Sequence, residues 1–182
     1  MAKKKVKPIA STIDSIDYEG SVKLKLTKGK QVLKTYSIKN TGTKILFSSI
    51  ASALTGSLND IPKFIAIGAK AGKTELTDNC LNEEIARVYI NRAVPVEYKD
   101  TDGNYAGHIA LFVATVPYTS INGMTIYEVG LFGDEKGNTM LARIPVDNGI
   151  SISQGMSLTI EWSIKIQNKK DVAKTTDTTT TE

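Results

Sequence analysis

Met156-Ser157-Leu158-Thr159-Ile160-Glu161-Trp162-Ser163-Ile164-Lys165-Ile166 alternates without a break: each even position is apolar and each odd one polar. Successive side chains of a strand point to opposite faces, so the pattern sets one face on a core and the other in water. Working outward, the same period of two returns in Val22, Leu24 and Leu26, interleaved with Lys23, Lys25 and Thr27. After Lys28-Gly29-Lys30 a second run over 32–38 reads as the return arm of a hairpin whose lysines face solvent. Further strands are predicted at 63–67, 86–94, 108–116, 124–132 and 139–146, divided by Gly, Asp and Asn clusters. Eight short strands with little helix predict a mainly β fold, an antiparallel, jelly-roll-like β-sandwich.

One α-helix is inserted in this pattern. Leu46, Phe47, Ile50, Ala53 and Leu54 recur at helical spacing, Thr43 can serve as the N-cap, and Gly56 is placed to end the helix. The helix is expected to lie across a sheet or plug one end of the sandwich. A shorter helical turn is expected over 78–84.

The chain has 182 residues, enough for one domain with a core. Three zones are expected: a basic flexible arm at 1–15, a single sandwich domain at 16–168, and a disordered Thr-rich tail at 169–182. The tail reads Lys169-Lys170-Asp171-Val172-Ala173-Lys174-Thr175-Thr176-Asp177-Thr178-Thr179-Thr180-Thr181-Glu182, too polar to bury area against its ordering entropy. No stretch approaches 18 uncharged apolar residues, and the basic start has no apolar run behind it, so neither membrane insertion nor a signal peptide is expected.

Residues 1–44 hold eleven lysines against Asp14, Asp17 and Glu19, a balance of +8, while the remainder carries −4. Such a polarised molecule attracts anionic surfaces or acidic neighbours. Nucleic acid is disfavoured as the partner, because the segment has no arginine and only Tyr18 and Tyr36 for stacking.

The raw material for catalysis is scarce. With Cys80 the sole cysteine and His108 the sole histidine, no disulfide framework, Cys/His zinc site or nucleophile–histidine pair assembles within one chain. Gly68-Ala69-Lys70-Ala71-Gly72-Lys73-Thr74 follows a strand as a phosphate-binding loop would, but it is one residue short of G-x-x-x-x-G-K-[ST] and opens no periodic helix. It reads as a strand-ending loop. Asp100-Thr101-Asp102-Gly103-Asn104-Tyr105 lacks the glycine and the bidentate glutamate of a calcium loop and reads as a polar turn. Glu83 and Glu84 are adjacent and diverge, a poor acid/base pair. His108 opens an apolar strand, and Cys80 has no activating motif. No catalytic residue, metal ligand or cofactor is expected.

Glu128 is the conspicuous residue, a carboxylate read as sharing a strand face with Ile126 and Phe132. With Asp134-Glu135-Lys136-Gly137 as a four-residue hairpin loop, the register sets Glu128 opposite Arg143. A structural cross-strand ion pair is predicted, provided that no bulge breaks that register.

Three groups of residues carry a resemblance. The first is Tyr18-Glu19-Gly20-Ser21-Val22-Lys23-Leu24-Lys25-Leu26 with Tyr36-Ser37-Ile38-Lys39-Asn40-Thr41-Gly42. The second is Ile65-Ala66-Ile67-Gly68 with Leu81-Asn82-Glu83-Glu84-Ile85-Ala86-Arg87-Val88. The third is Tyr127-Glu128-Val129-Gly130-Leu131-Phe132, Met140-Leu141-Ala142-Arg143-Ile144 and the closing strand. In their order and spacing the chain resembles small bacteriophage virion proteins related to tail-fibre and tail-collar components, over most of 19–168. It departs from collar-type fibres in lacking a repetitive shaft.

The resemblance implies a non-enzymatic virion structural protein, made in the cytoplasm of a bacterial host. Such a protein joins, anchors or decorates tail, collar, fibre or head components as a homo-oligomer. Its implied partners are copies of itself and other virion proteins, and a host surface receptor if the alternative reading, a receptor- or glycan-binding module, holds. An exposed aromatic cluster of Tyr98, Tyr105 and Tyr118 would favour that alternative. A nucleotide-binding enzyme built on the Gly68 loop is the reading least favoured.

Overall fold

Two five-stranded antiparallel sheets face each other. The computed structural model describes residues 15–57, 60–121 and 123–169. Apart from Ser15 and Lys169, the expected arm and tail lie outside the described residues. The first sheet runs β2(Gln31–Lys39)-β1(Ser15–Lys28)-β10(Met156–Lys169)-β7(Tyr105–Val116)-β6(Arg92–Lys99). The second runs β3(Thr41–Gly42)-β9(Met140–Ser151)-β8(Thr125–Phe132)-β4(Phe64–Gly68)-β5(Glu84–Tyr89). The protein is mainly β, a sandwich built from hairpins laid alternately in the two sheets.

The closing strand acts as its alternation demands. Leu158, Ile160, Trp162 and Ile164 are buried, and β10 lies between β1 and β7, with Trp162 paired to Val22 and Phe112. They meet Ile65, Ile67, Val129, Leu131 and Ile144 of the second sheet in one core. The β1–β2 hairpin forms as its lysine-glycine turn predicts, with Gly29 at φ 57° opening a two-residue turn.

The run at 86–94 is two strands, not one. It breaks at Ile90-Asn91, where the chain leaves the second sheet for the first: Ile90 N donates to Lys63 O at 2.9 Å and Asn91 N to Val113 O at 2.8 Å. A continuous apolar run does not reveal which sheet each half joins. This split and the two-residue β3 raise the eight predicted strands to ten among the described residues.

The helix α1(Lys44–Leu54) packs on β9 and β3 at one edge of the second sheet. Its buried face is rotated from the expected one. Leu46 and Ser49 are buried with Ile45 and Ile50 beside them, whereas Phe47 is 46% and Leu54 82% exposed. Ser49 fits because its hydroxyl donates to Ile45 O and Asp60 O. Thr43 holds the N-cap position, but its hydroxyl donates to Met140 O at 2.6 Å and Leu141 O at 3.1 Å, so it ties the helix to β9 instead of capping it. At the other end Gly56, at φ 85°, closes the helix: Gly56 N donates to Ala53 O and Ser57 N to Ser52 O, a Schellman pattern. Residues 78–84 form no helix. A four-residue helix, α2(Tyr118–Ile121), instead joins β7 to β8.

Candidate functional site: a buried ion network beneath the 69–83 loop

The bulge at Tyr127 decides which way Glu128 points. Between Ile126 and Glu128 the β8–β9 register shifts, so Ile126 stays in the inter-sheet core with Val129 and Leu131. Glu128 turns with Phe132 to the opposite face of the second sheet. That overturns the expected sharing of a face with Ile126: at the irregularity Tyr127 alone stands against 146–149 of β9, and the alternation of β8 inverts beyond it. The loop 69–83 covers the outer face, and Leu81 packs there on Ala66, Phe132 and Met140 as a second, smaller cluster.

Beneath that loop a carboxylate and a guanidinium are both buried. Glu128 is 0% and Arg143 3% exposed, with Arg143 Nη2 donating to Glu128 Oε2 at 2.5 Å. Glu128 Oε1 accepts from the backbone N–H groups of Asn82 at 2.8 Å and Glu83 at 3.2 Å. Arg143 Nη1 donates to Asp78 Oδ2 at 2.8 Å and Lys73 O at 3.3 Å. Of the guanidinium nitrogens, Nε alone has no acceptor among the described residues. A charge taken from water is tolerated only when paired and hydrogen-bonded, and here both partners draw their remaining bonds from the loop.

The two glycines of the lysine-glycine segment are explained by this network. A side chain at Gly68 would collide with the Glu128 carboxylate, and one at Gly72 with Asn82 and Arg143. They are small so that the loop can close over the ion pair. Gly68-Thr74 ends β4 as expected and opens no helix.

A second arginine secures the neighbouring hairpin. Arg87 on β5 makes a two-pronged pair with Glu84 (2.9 and 2.7 Å), and its Nη1 reaches Asp134 O at 2.9 Å and Gly137 O at 3.2 Å. Its guanidinium sits 3.7 Å above the Phe132 ring centroid. Thr139 Oγ1 donates to the Asp134 carboxylate, completing the loop between β8 and β9.

Glu128 and Arg143 were both marked by the sequence, and Asn82, Glu84 and Arg87 lie inside the segments that carried the resemblance. Asp78 was missed. It approaches from a loop without periodicity, and no spacing rule places a loop carboxylate beside a strand arginine.

The other singled-out residues do not converge. Glu83 is exposed and Glu84 is engaged by Arg87. His108 is an exposed residue inside β7, its Nδ1 3.0 Å from Tyr105 Oη. Cys80 is a free, exposed thiol. Asp100 Oδ1 accepts from Asp102 N and Asn104 N, an Asx-type turn between β6 and β7. Tyr98 and Tyr105 flank that turn, but Tyr118 lies past the far end of β7 and packs against the core, so the three tyrosines form no cluster. Among the described residues no three His, Cys, Asp or Glu side chains gather as metal ligands, and no helix is long and apolar enough to cross a membrane.

Open clefts mark the surface. One of about 650 Å³ is bounded by Ala71, Gly72, Lys73, Thr74, Pro145 and Asp147. One of about 610 Å³ lies between Glu83, Glu84 and Tyr127, and a third of about 370 Å³ between Tyr18, Asn40 and Phe47. In this last, Asn40 Nδ2 donates to Tyr18 Oη at 2.9 Å. Burial pushes the Tyr18 phenol above its ordinary value, with the Asn40 bond pulling the other way. The buried network is a strut: its carboxylate oxygens are already engaged by an arginine and two backbone N–H groups.

Comparison with protein-family models, with curated proteins and with solved structures returns no match to this chain.

Proposed function

We propose that the protein is a non-enzymatic structural component of a bacteriophage particle, acting as a homo-oligomeric β-sandwich that joins, anchors or decorates tail, collar, fibre or head parts. One observation supports this reading above the others. Three of the short segments that carry the resemblance, Leu81 to Val88, Tyr127 to Phe132 and Met140 to Ile144, meet in one interlocked unit around Glu128, Arg143 and Arg87. Scattered matches have no reason to converge; a shared architecture does. The chemistry agrees, since a particle component needs loops held rigidly on a sandwich, and here two arginines hold them.

The glycan- or receptor-binding alternative gains no support from the expected cluster, because Tyr118 stands apart from Tyr98 and Tyr105. The reading is tested by fractionating particles released from the host that encodes the chain and labelling them with an antibody to it. The expected result is labelling at one fixed location on the particle. Particles that carry no label would overturn it.

A further inference from the structure

β7 is apolar on both faces. Ala110, Phe112, Ala114 and Val116 point into the inter-sheet core, while Ile109, Leu111 and Val113 alternate with them onto the outer face of the first sheet. The register sets Val94 of β6 beside Leu111 and Val96 beside Ile109. Val96 is 41% exposed and the other four are half-buried, with no second layer over them among the described residues. Strands apolar on both faces are normally covered on both.

The rest of that face carries a pattern of charge. Down β1 the outward residues are Asp17, Glu19, Ser21, Lys23 and Lys25. Beside them on β10 stand Gln167, Lys165, Ser163, Glu161 and Thr159, and next to Lys165, Ser163 and Glu161 on β7 stand Ile109, Leu111 and Val113. The charges of β1 and β10 reverse about the row Ser21, Ser163, Leu111, Val94, which ends at Lys39 on the edge strand β2: two acids face two lysines across it on β1, Lys165 faces Glu161 on β10, and Ile109 matches Val113 on β7. A surface whose charges invert about a line is complementary to itself under a two-fold axis along that line.

We propose that this outer face is the contact between two copies of the chain, related by a two-fold axis along the Ser21–Ser163–Leu111–Val94 row. The proposal rests on the structural reading above in taking a second copy as the occupant, and it names the surface that the reading leaves open. Each strand then lies over its own counterpart. Leu111 meets Leu111, Ile109 meets Val113, Lys23 and Glu161 meet Glu19 and Lys165 of the second copy, and Val96 meets the aliphatic stem of Arg92. Stacked sheets cross at about 30°, an offset that long lysine side chains span near the axis. The footprint, roughly 19 Å across four strands by 27 Å along them, is about 500 Å² per partner, or about 1,000 Å² in total, the size at which a specific interface begins. Within one chain four of these charges already pair, Lys25 with Glu161 and Lys165 with Glu19 at 3.4 Å, whereas Lys23 has no acidic partner among the described residues and gains Glu19 of the second copy.

The full chain is measured by light scattering over a concentration series at low and high salt. The expected mass rises from one copy to two, and high salt weakens the step. Leu111→Lys sets two cations against each other on the axis and is expected to weaken the dimer by about 30-fold or more. Its circular dichroism should stay unchanged, since the side chain faces outward. In a Cys80→Ser background, Ser163→Cys is expected to give a covalent dimer with a short bis-maleimide, whereas Thr101→Cys, in the β6–β7 turn, is not. The cross-link decides the matter if Leu111→Lys fails to fold. A mass of one copy at every concentration, a trimer, a dimer indifferent to Leu111→Lys, or equal cross-linking at both cysteines would overturn the proposal. Location on the particle is read separately, so a monomer found on particles sinks this surface alone, and a dimer absent from them sinks only the particle reading.

Discussion

Glu128 and Arg143 lie diagonally across the β8–β9 hairpin: Glu128 is in register with Pro145 and Arg143 with Gly130, yet their side chains meet at 2.5 Å. A diagonal pair leaves room between the strands for the loop to reach in, and the backbone of Asn82 and Glu83 does so. The ion pair thus fastens the loop as well as the hairpin.

Breaking this pair is expected to be costly. Glu128→Gln leaves a buried guanidinium with Asp78 as its remaining carboxylate, and the loss should be about 3–5 kcal/mol of unfolding free energy. Replacing both partners, Glu128→Leu with Arg143→Met, is expected to cost less than Glu128→Leu alone. Urea denaturation of the three variants checks the order; a double variant less stable than the Glu128→Leu single would refute it.

The glycines of the 68–74 segment should matter more than its lysine. Gly68→Ala drives a methyl group into the Glu128 carboxylate and is expected to cost about 1–3 kcal/mol. Lys73→Ala removes an exposed side chain whose carbonyl is the interacting group, and should stay within about 0.5 kcal/mol. Magnesium–ATP is expected to leave the melting temperature unchanged; a rise abolished by Lys73→Ala would revive a phosphate-binding role.

Arg87→Lys keeps the charge and loses the fork. One ammonium cannot hold Glu84 and also reach the carbonyls of Asp134 and Gly137. Amide exchange over 133–139 should quicken while that of β10 is unaffected at equal global stability. Unchanged exchange in the hairpin loop would show that the arginine does not hold it.

Alkaline stability should depend on Tyr18. Its phenol is raised above 10.0 in the folded chain by burial, against the Asn40 bond, so the folded state keeps the proton that the unfolded chain loses. Stability from this source is present below pH 10 and falls as the pH climbs through the folded value. Tyr18→Phe should cost about 1 kcal/mol near neutrality by removing the hydrogen bond, and should flatten the alkaline decline. An identical alkaline limb in the variant would exclude Tyr18 as its cause.

Legibility in the sequence followed the physics of each element. The alternation of 156–166 was readable because a strand with one wet face writes its orientation into every residue. The Glu128–Arg143 pair was reached through a four-residue loop and an unbroken register; instead Phe132 pairs with Met140 across a longer loop and the register shifts between Leu131 and Phe132, which sets Glu128 against Pro145, and the two residues meet because long side chains span a diagonal. The face of α1 was misread because Phe47 and Leu54 are apolar yet exposed, while Ser49 is buried through two hydroxyl bonds. Hydrophobic spacing cannot see a polar group satisfied by a distant carbonyl.

Local chemistry in the chain itself determined the strands, the lysine-glycine hairpin, the helix closed by Gly56 and the scarcity of catalytic groups, since each depends on a residue and its near neighbours. Tertiary structure alone decided that 86–94 divides between two sheets, that the bulge at Tyr127 turns Glu128 away from the core, and that Asp78 and Asn82 close over it. Those outcomes depend on which distant backbone supplies a hydrogen bond or leaves a gap, and no local pattern encodes that.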